Sequence, residues 1–152
     1  MNNRSYMKTS YFAKSGKNKN NVSIAQGEPK WYTGREYKKL APGWKLVKAG
    51  YNRHKFEKEY RKQVLNKLDP HKVYEELGED AILLCWEKPI DYCHREIVAD
   101  WLEENIPGLE IKELGFEDKI TRKSKLEEKG FIKPGDEKNI KLINKIYQIS
   151  LF

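Results

Sequence analysis

Ala81-Ile82-Leu83-Leu84-Cys85-Trp86, followed by Cys93-His94-Arg95 and the spaced apolar residues Ile97, Val98, Trp101 and Leu102, decides the fold. The first stretch is a continuous apolar run of strand length. Such runs fit a strand covered on both faces, as in a parallel sheet. The second has helical spacing. Pro107-Gly108 stops that helix, and Leu109 to Leu114 alternates as a following strand. Upstream, Phe56, Tyr60, Val64 and Leu68 form an apolar stripe over His54 to Leu68, an amphipathic helix. Asp69 and Pro70 are an N-cap and first residue for a shorter helix over His71 to Leu77, which Gly78 closes. Helix, strand, loop, helix, strand is a βαβ unit with a helix before it.

Toward the N-terminus, Met7 to Ala13 reads as a first strand and Asn21 to Ala25 as a short second one, with a loop over Lys14 to Asn21. Lys30 to Trp44 interleaves Trp31, Tyr32, Tyr37 and Trp44 with basic residues and is broken by Gly34, Pro42 and Gly43. It reads as an irregular loop with at most one helical turn, and Lys45 to Gly50 fits a short helix or a strand. The expected architecture is a single α/β domain, a mostly parallel sheet flanked by helices in a Rossmann-like three-layer arrangement. Residues 1–114 form the core with a ligand pocket, and residues 115–152 form a C-terminal extension packing on it. Within the extension, Lys119 to Lys129 suits a charged helix, Pro134-Gly135 a turn, and the isoleucine-rich end a helix or strand.

The 152 residues suffice for one domain with a real core. No apolar run approaches the ~20 residues a membrane-spanning helix needs, and Met1 to Ser10 lacks an apolar signal core. Two cysteines suit a reducing compartment better than a disulfide scaffold. A cytoplasmic protein with no membrane partner is therefore expected. The formal charge of +7 is unevenly placed: +13 over residues 1–72, −9 over 73–114 and +3 over 115–152. Either the two large blocks attract each other in the fold, or the basic one serves an anion.

In an open parallel sheet, ligands bind outside the carboxyl ends of the strands. Cys85, Trp86 and Glu87 fall at such an end, and Cys93, His94 and Arg95 at the start of the next helix, where free N–H groups and the helix dipole favour anions. Arg95 offers a planar fork for phosphate or carboxylate, and a cysteine there has a lowered pKa. Each residue has a plainer alternative. Cys85 is a packed core thiol, Cys93 a buried cap, and Glu87 a salt-bridge partner of Arg95. Cys-x7-Cys-His lacks the paired-cysteine spacing of structural zinc sites, so neither a metal nor a cofactor is expected.

The pattern Leu84-Cys85-x-Glu87, five residues, then Cys93-His94-Arg95 resembles the signature of a prokaryotic and viral family known as domain of unknown function 488. Tyr11-Phe12-Ala13-Lys14, Val22-Ser23-Ile24-Ala25 and Pro29-Lys30-Trp31-Tyr32 are similar to the family's first strand, second strand and following loop. The resemblance covers roughly residues 6–114 and implies an α/β fold with a pocket between the Cys-His-Arg loop and the N-terminal loops. Where the family has an arginine, this chain has Gln26.

The expected function is binding of a small phosphate-bearing ligand, a nucleotide or an ADP-ribose-like signal, with sequestration of that ligand as one use. The ligand-binding set is Tyr11, Lys14, Lys30, Trp31, Tyr32, Arg35, His94 and Arg95. One aromatic of the 30–45 loop stacks on the ligand while the others pin the loop to the core. The resemblance adds the reading that a phage protein of this kind quenches a host immune nucleotide, an anti-defence role. Two alternatives stand beside it. One is an enzyme cleaving a glycosidic or phosphoester bond, with Glu87 as acid or base and Cys93 assisting. The other is nucleic-acid binding by the basic half, although no standard motif for it is present.

Overall fold

The computed structural model describes residues 6–86, 93–117, 122–130 and 133. Glu87, the loop after it, the expected turn at Pro134-Gly135 and the isoleucine-rich C-terminal stretch lie outside the described residues. Five strands form one parallel sheet: β1 (Lys8–Tyr11), β2 (Asn21–Ser23), β3 (Arg35–Glu36), β4 (Ile82–Cys85) and β5 (Lys112–Glu113), in the order β3-β2-β4-β1-β5. Helices α1 (Phe12–Ser15), α2 (Trp44–Val47), α3 (Arg53–Gln63), α4 (Pro70–Leu77), α5 (His94–Asn105) and α6 (Lys123–Glu128) surround it.

The apolar run is the central strand. β4 pairs with β1 through Tyr11↔Cys85 and with β2 through Ser23↔Leu84, and all four of its residues are buried. Its side chains alternate between two cores. Leu83 joins Tyr60, Leu65, Val73, Leu77, Ile97, Val98 and Leu102 under α3, α4 and α5. Ile82 and Leu84 face the other way, against Phe12, Ala25 and Tyr32, and Cys85, the last residue of the strand, joins that second cluster together with Cys93. A strand buried on both faces needs no alternation, hence the unbroken hydrophobic run.

The capped helix forms as its sequence dictates: Asp69 Oδ1 accepts from the His71 N–H at 3.0 Å, and Pro70 opens α4. Elsewhere the elements differ from expectation. The first strand ends at Tyr11, and Phe12 turns into α1, because its ring is drawn into the second core. β2 ends at Ser23, not Ala25. β3 escapes the sequence because it is only two exposed residues long, inside the aromatic, basic loop. The Lys45 to Gly50 stretch is helical at Trp44–Val47. The long amphipathic stripe is interrupted at Val64, which becomes the hinge between α3 and a 3-10 turn at Leu65–Lys67. Of the predicted strand at 109–114, only Lys112–Glu113 is paired.

The charge blocks meet within the fold. Arg61 pairs with Glu104 at 3.0 Å and Lys39 with Glu76 at 3.2 Å. α6 docks on α5 through Arg122, which pairs with Asp100 at 2.9 Å and Glu103 at 2.5 Å. No helix among the described residues is long and apolar enough to cross a membrane.

Candidate functional site

β2 and β4 are neighbours, so their carboxyl ends release two loops side by side. Ile24 donates its N–H to Leu84 O at 3.1 Å, and the Trp86 indole N–H donates to Gly27 O at 2.8 Å. Lys38 gathers the first loop from below. Its ammonium donates to the carbonyls of Ala25 and Gln26, both at 3.1 Å, and to Glu28 at 2.6 Å. Burial works to raise the Glu28 carboxyl, but hydrogen bonds from Lys38 and Ser23 outweigh it and hold the group below the usual carboxylate range. Gln26 Oε1 accepts from the Gly43 N–H at 2.9 Å, which ties the α2 segment to the same loop. Gly43 sits at φ 87°, a conformation glycine tolerates, and this turn launches Trp44.

Between these loops, α2, α3 and the start of α5 lies a cavity of about 510 Å³. Its walls are Ala25 to Glu28, Pro42, Trp44, Val47, Tyr51, Phe56, Cys85, Trp86, Cys93 and His94. The volume falls in the range of small-molecule sites. Trp44 and Trp86 are 55% and 54% exposed, an unusual use of the largest apolar side chain unless something covers it. The ammonium groups of Lys48 and Lys55 lie 5.7 Å and 4.5 Å from the Trp44 and Tyr51 ring centres. The floor is polar: Cys93 is the N-cap of α5 without a side-chain capping bond, and His94 is its first residue.

His94 is buried and its Nε2 lies 2.6 Å from Ile24 O. A carbonyl only accepts, so Nε2 carries the proton and Nδ1 presents a lone pair. Burial pushes the imidazole down to about 4, so it is neutral at physiological pH. Nδ1 lies 4.0 Å from Cys93 Sγ. The sulfurs of Cys85 and Cys93 are joined as a disulfide, where the sequence suggested two reduced thiols. The ligand atoms of Cys85, Cys93 and His94 all lie within 4.8 Å of one another, a set able to hold a metal ion.

The remaining expected residues go elsewhere. Arg95 is 3% exposed and is not among the residues that line the cavity, lying behind Cys85. Its guanidinium donates to both carboxylate oxygens of Glu113, at 3.3 and 3.2 Å, and to Cys85 Sγ at 3.2 Å. Thr9 holds the same carboxylate at 2.6 Å, and the Tyr11 ring centre lies 5.9 Å from the guanidinium carbon. Arg35 donates to the carbonyls of Leu77 and Glu76, both at 3.0 Å, satisfying the C-terminal end of α4. Tyr32 packs edge-on against Phe12 and donates to Arg35 O at 2.6 Å. Trp31 and Tyr32 border a separate recess of about 220 Å³ beside Lys17 and Lys19. Lys14 and Lys30 are exposed, the former beside Gly115. Of the expected set, Cys93 and His94 converge on the cavity. Trp44, Trp86, Tyr51 and Phe56 join them. Trp44 carried a signal in sequence, a tryptophan leading a helix turn too short to have an apolar stripe. Phe56 did not, since its spacing marks it as core.

A parallel α/β domain with its cavity at the carboxyl ends of the central strands, against a helix N-terminus, defines the class. The family model described as the active DUF488-N3 subclade matches residues 13–106, and the chain belongs to that family. Comparisons with curated proteins and with solved structures return no match.

Proposed function

We propose that the protein binds a small phosphate-bearing ligand of the nucleotide or ADP-ribose type in the cavity at the carboxyl ends of β2 and β4. One observation carries this reading: a cavity of nucleotide size walled by two half-exposed tryptophans, Trp44 and Trp86. Flat rings of that kind stack on a base with little regard to its identity. Lys48 and Lys55 beside the Trp44 and Tyr51 rings provide charge for the phosphates. This assignment moves the anion-binding role from Arg95 and Arg35, both engaged inside the fold, to the two lysines. Binding without turnover would serve to sequester a signalling nucleotide in the cytoplasm, the anti-defence role of a phage protein.

A second reading, cleavage of a bond in that ligand, is favoured by one feature. His94 is neutral, with Nδ1 directed at Cys93 Sγ on the cavity floor. A reduced Cys93 would then be a thiol on the cavity floor with a hydrogen-bond acceptor beside it, placed as a nucleophile. Glu87, the expected acid or base, lies outside the described residues.

The test is a panel of nucleotides, cyclic dinucleotides and ADP-ribose derivatives. Melting shifts are read for wild type and Trp44→Ala, and ligand mass is read before and after. A shift lost in Trp44→Ala with ligand mass unchanged is the expected result. A changed mass makes the protein an enzyme and names the bond. No shift with any ligand refutes the nucleotide reading.

A further inference from the structure

We propose that the reduced protein holds a thiophilic divalent cation, zinc, through the thiolates of Cys85 and Cys93 and Nδ1 of His94, with a fourth position open to the cavity. The inference concerns the cavity floor and does not depend on what the tryptophans bind.

Three observations converge. The first is placement: the end of β4 and the N-cap of α5 bring two sulfurs and an imidazole nitrogen within 4.8 Å of one another, all from buried residues. Tetrahedral zinc, with Zn–S about 2.3 Å and Zn–N about 2.0 Å, needs sulfur and nitrogen roughly 3.5 Å apart. Nδ1 and Cys93 Sγ, at 4.0 Å, close that gap with a small ring rotation. The second is orientation: His94 Nε2 is held by Ile24 O at 2.6 Å, which fixes the tautomer with the lone pair on Nδ1. A ligating histidine is oriented in this way, its other nitrogen donating to a carbonyl. The third is charge: Arg95 Nη1 lies 3.2 Å from Cys85 Sγ, and once the disulfide is reduced a guanidinium at that place favours the thiolate. Among the described residues only these three ligand atoms meet, and all three residues line the cavity, which leaves room for water or a ligand oxygen as the fourth donor. Three protein ligands and an open position are the pattern of zinc that does chemistry, not of zinc that only holds a fold.

The disulfide is the other state of the same pair. A dithiol reductant delivers two electrons and two protons to the sulfur–sulfur bond and is itself oxidised to a disulfide. Zinc then displaces the two thiol protons into solvent. Oxidation and metal occupancy therefore exclude each other.

The test uses the full chain, reduced with a phosphine and freed of metal by a chelator that is then removed. Cobalt(II) is titrated in without oxygen. Expected are thiolate-to-cobalt charge-transfer bands and tetrahedral visible bands that saturate at one equivalent and vanish when zinc is added. One equivalent of zinc should also suppress alkylation of both thiols. The oxidised protein should give no bands, and Cys93→Ser and His94→Ala should each lose or shift them. Because a buried variant can fail to fold, the reduced and oxidised wild-type proteins carry the decision. Absent bands in the reduced protein, with alkylation unaffected by zinc, overturn the proposal. Bands unchanged in a folded His94→Ala overturn the ligand set.

Discussion

The two sides of α5 use polar groups in opposite ways. At its N-terminus, Cys93 and His94 open onto a cavity of about 510 Å³ beside half-exposed tryptophans. Along the flank that meets β5 and α6, Arg95, Glu96, Asp100 and Glu103 are enclosed by Glu113, Arg122, Ser124 and Lys125. Consecutive residues thus serve different ends: His94 presents a lone pair to a cavity, and Arg95 closes a network with Glu113 and Thr9. Charge inside a fold does not by itself mark a site. What distinguishes the cavity is apolar surface left uncovered next to polar groups with capacity to spare.

The largest effect that sharpens this contrast is at Arg95. Arg95→Ala leaves Glu113 buried without its ion-pair partner, and breaking such a pair costs about 3–5 kcal/mol, a large share of a typical domain's stability. Urea unfolding should show that loss, and Arg95→Met with Glu113→Leu should recover most of it. An Arg95→Ala protein of unchanged stability that no longer binds nucleotide would instead return Arg95 to the ligand.

The flank also carries a pH signature. Burial, with the like charge of Asp100, raises the Glu96 carboxyl from 4.5 to about 7, against the hydrogen bond from the Ser124 N–H and the charges of Arg53 and Arg122. Between those values the unfolded chain has released the proton and the folded chain keeps it. Stability from this group is therefore full below pH 4.5 and lost as pH rises to 7. Glu96→Gln mimics the neutral form and lacks that slope. The stability of wild type relative to the variant should fall by up to about 3 kcal/mol between pH 4.5 and 8. A flat difference would mean the seam's cations fully compensate the charge.

A smaller effect tests an element whose cause is wholly local. Asp69→Ala removes the cap on α4 and should cost about 1 kcal/mol in urea unfolding. A loss well below that would place the end of α4 under tertiary control.

Such local signals are why much of the fold was legible. Asp69-Pro70, Gly78 and the run at 81–86 each act over a few residues, and the βαβ order follows from them. The cavity's floor was legible too, because a strand end and a helix start flank one loop. Its walls were not. Trp44, Tyr51 and Phe56 reach it only once Gly43, Gln26 and Lys38 have joined two loops distant in sequence. The role expected of Arg95 rested on an arginine at a helix start and that of Arg35 on a basic, aromatic loop, and the partners that occupy them, Glu113 and the end of α4, lie outside their local sequence.

The smallest expected change in stability bears most directly on function. Trp44 is 55% exposed, so its substitution by alanine removes less buried surface than a truncation in either core. Most single substitutions cost about 0.5–3 kcal/mol, and one at a half-exposed position belongs at the low end. Stacking on a base contributes about 1–3 kcal/mol, so the same variant should weaken nucleotide binding by roughly fivefold to over a hundredfold. Isothermal titration and urea unfolding on one preparation read both quantities. Little change in stability with a large loss of affinity separates the cavity from the paired flank of α5. A stability loss with affinity intact would make Trp44 a structural pin of the loop, and the cavity would have to find its ligand contacts in Trp86 and His94.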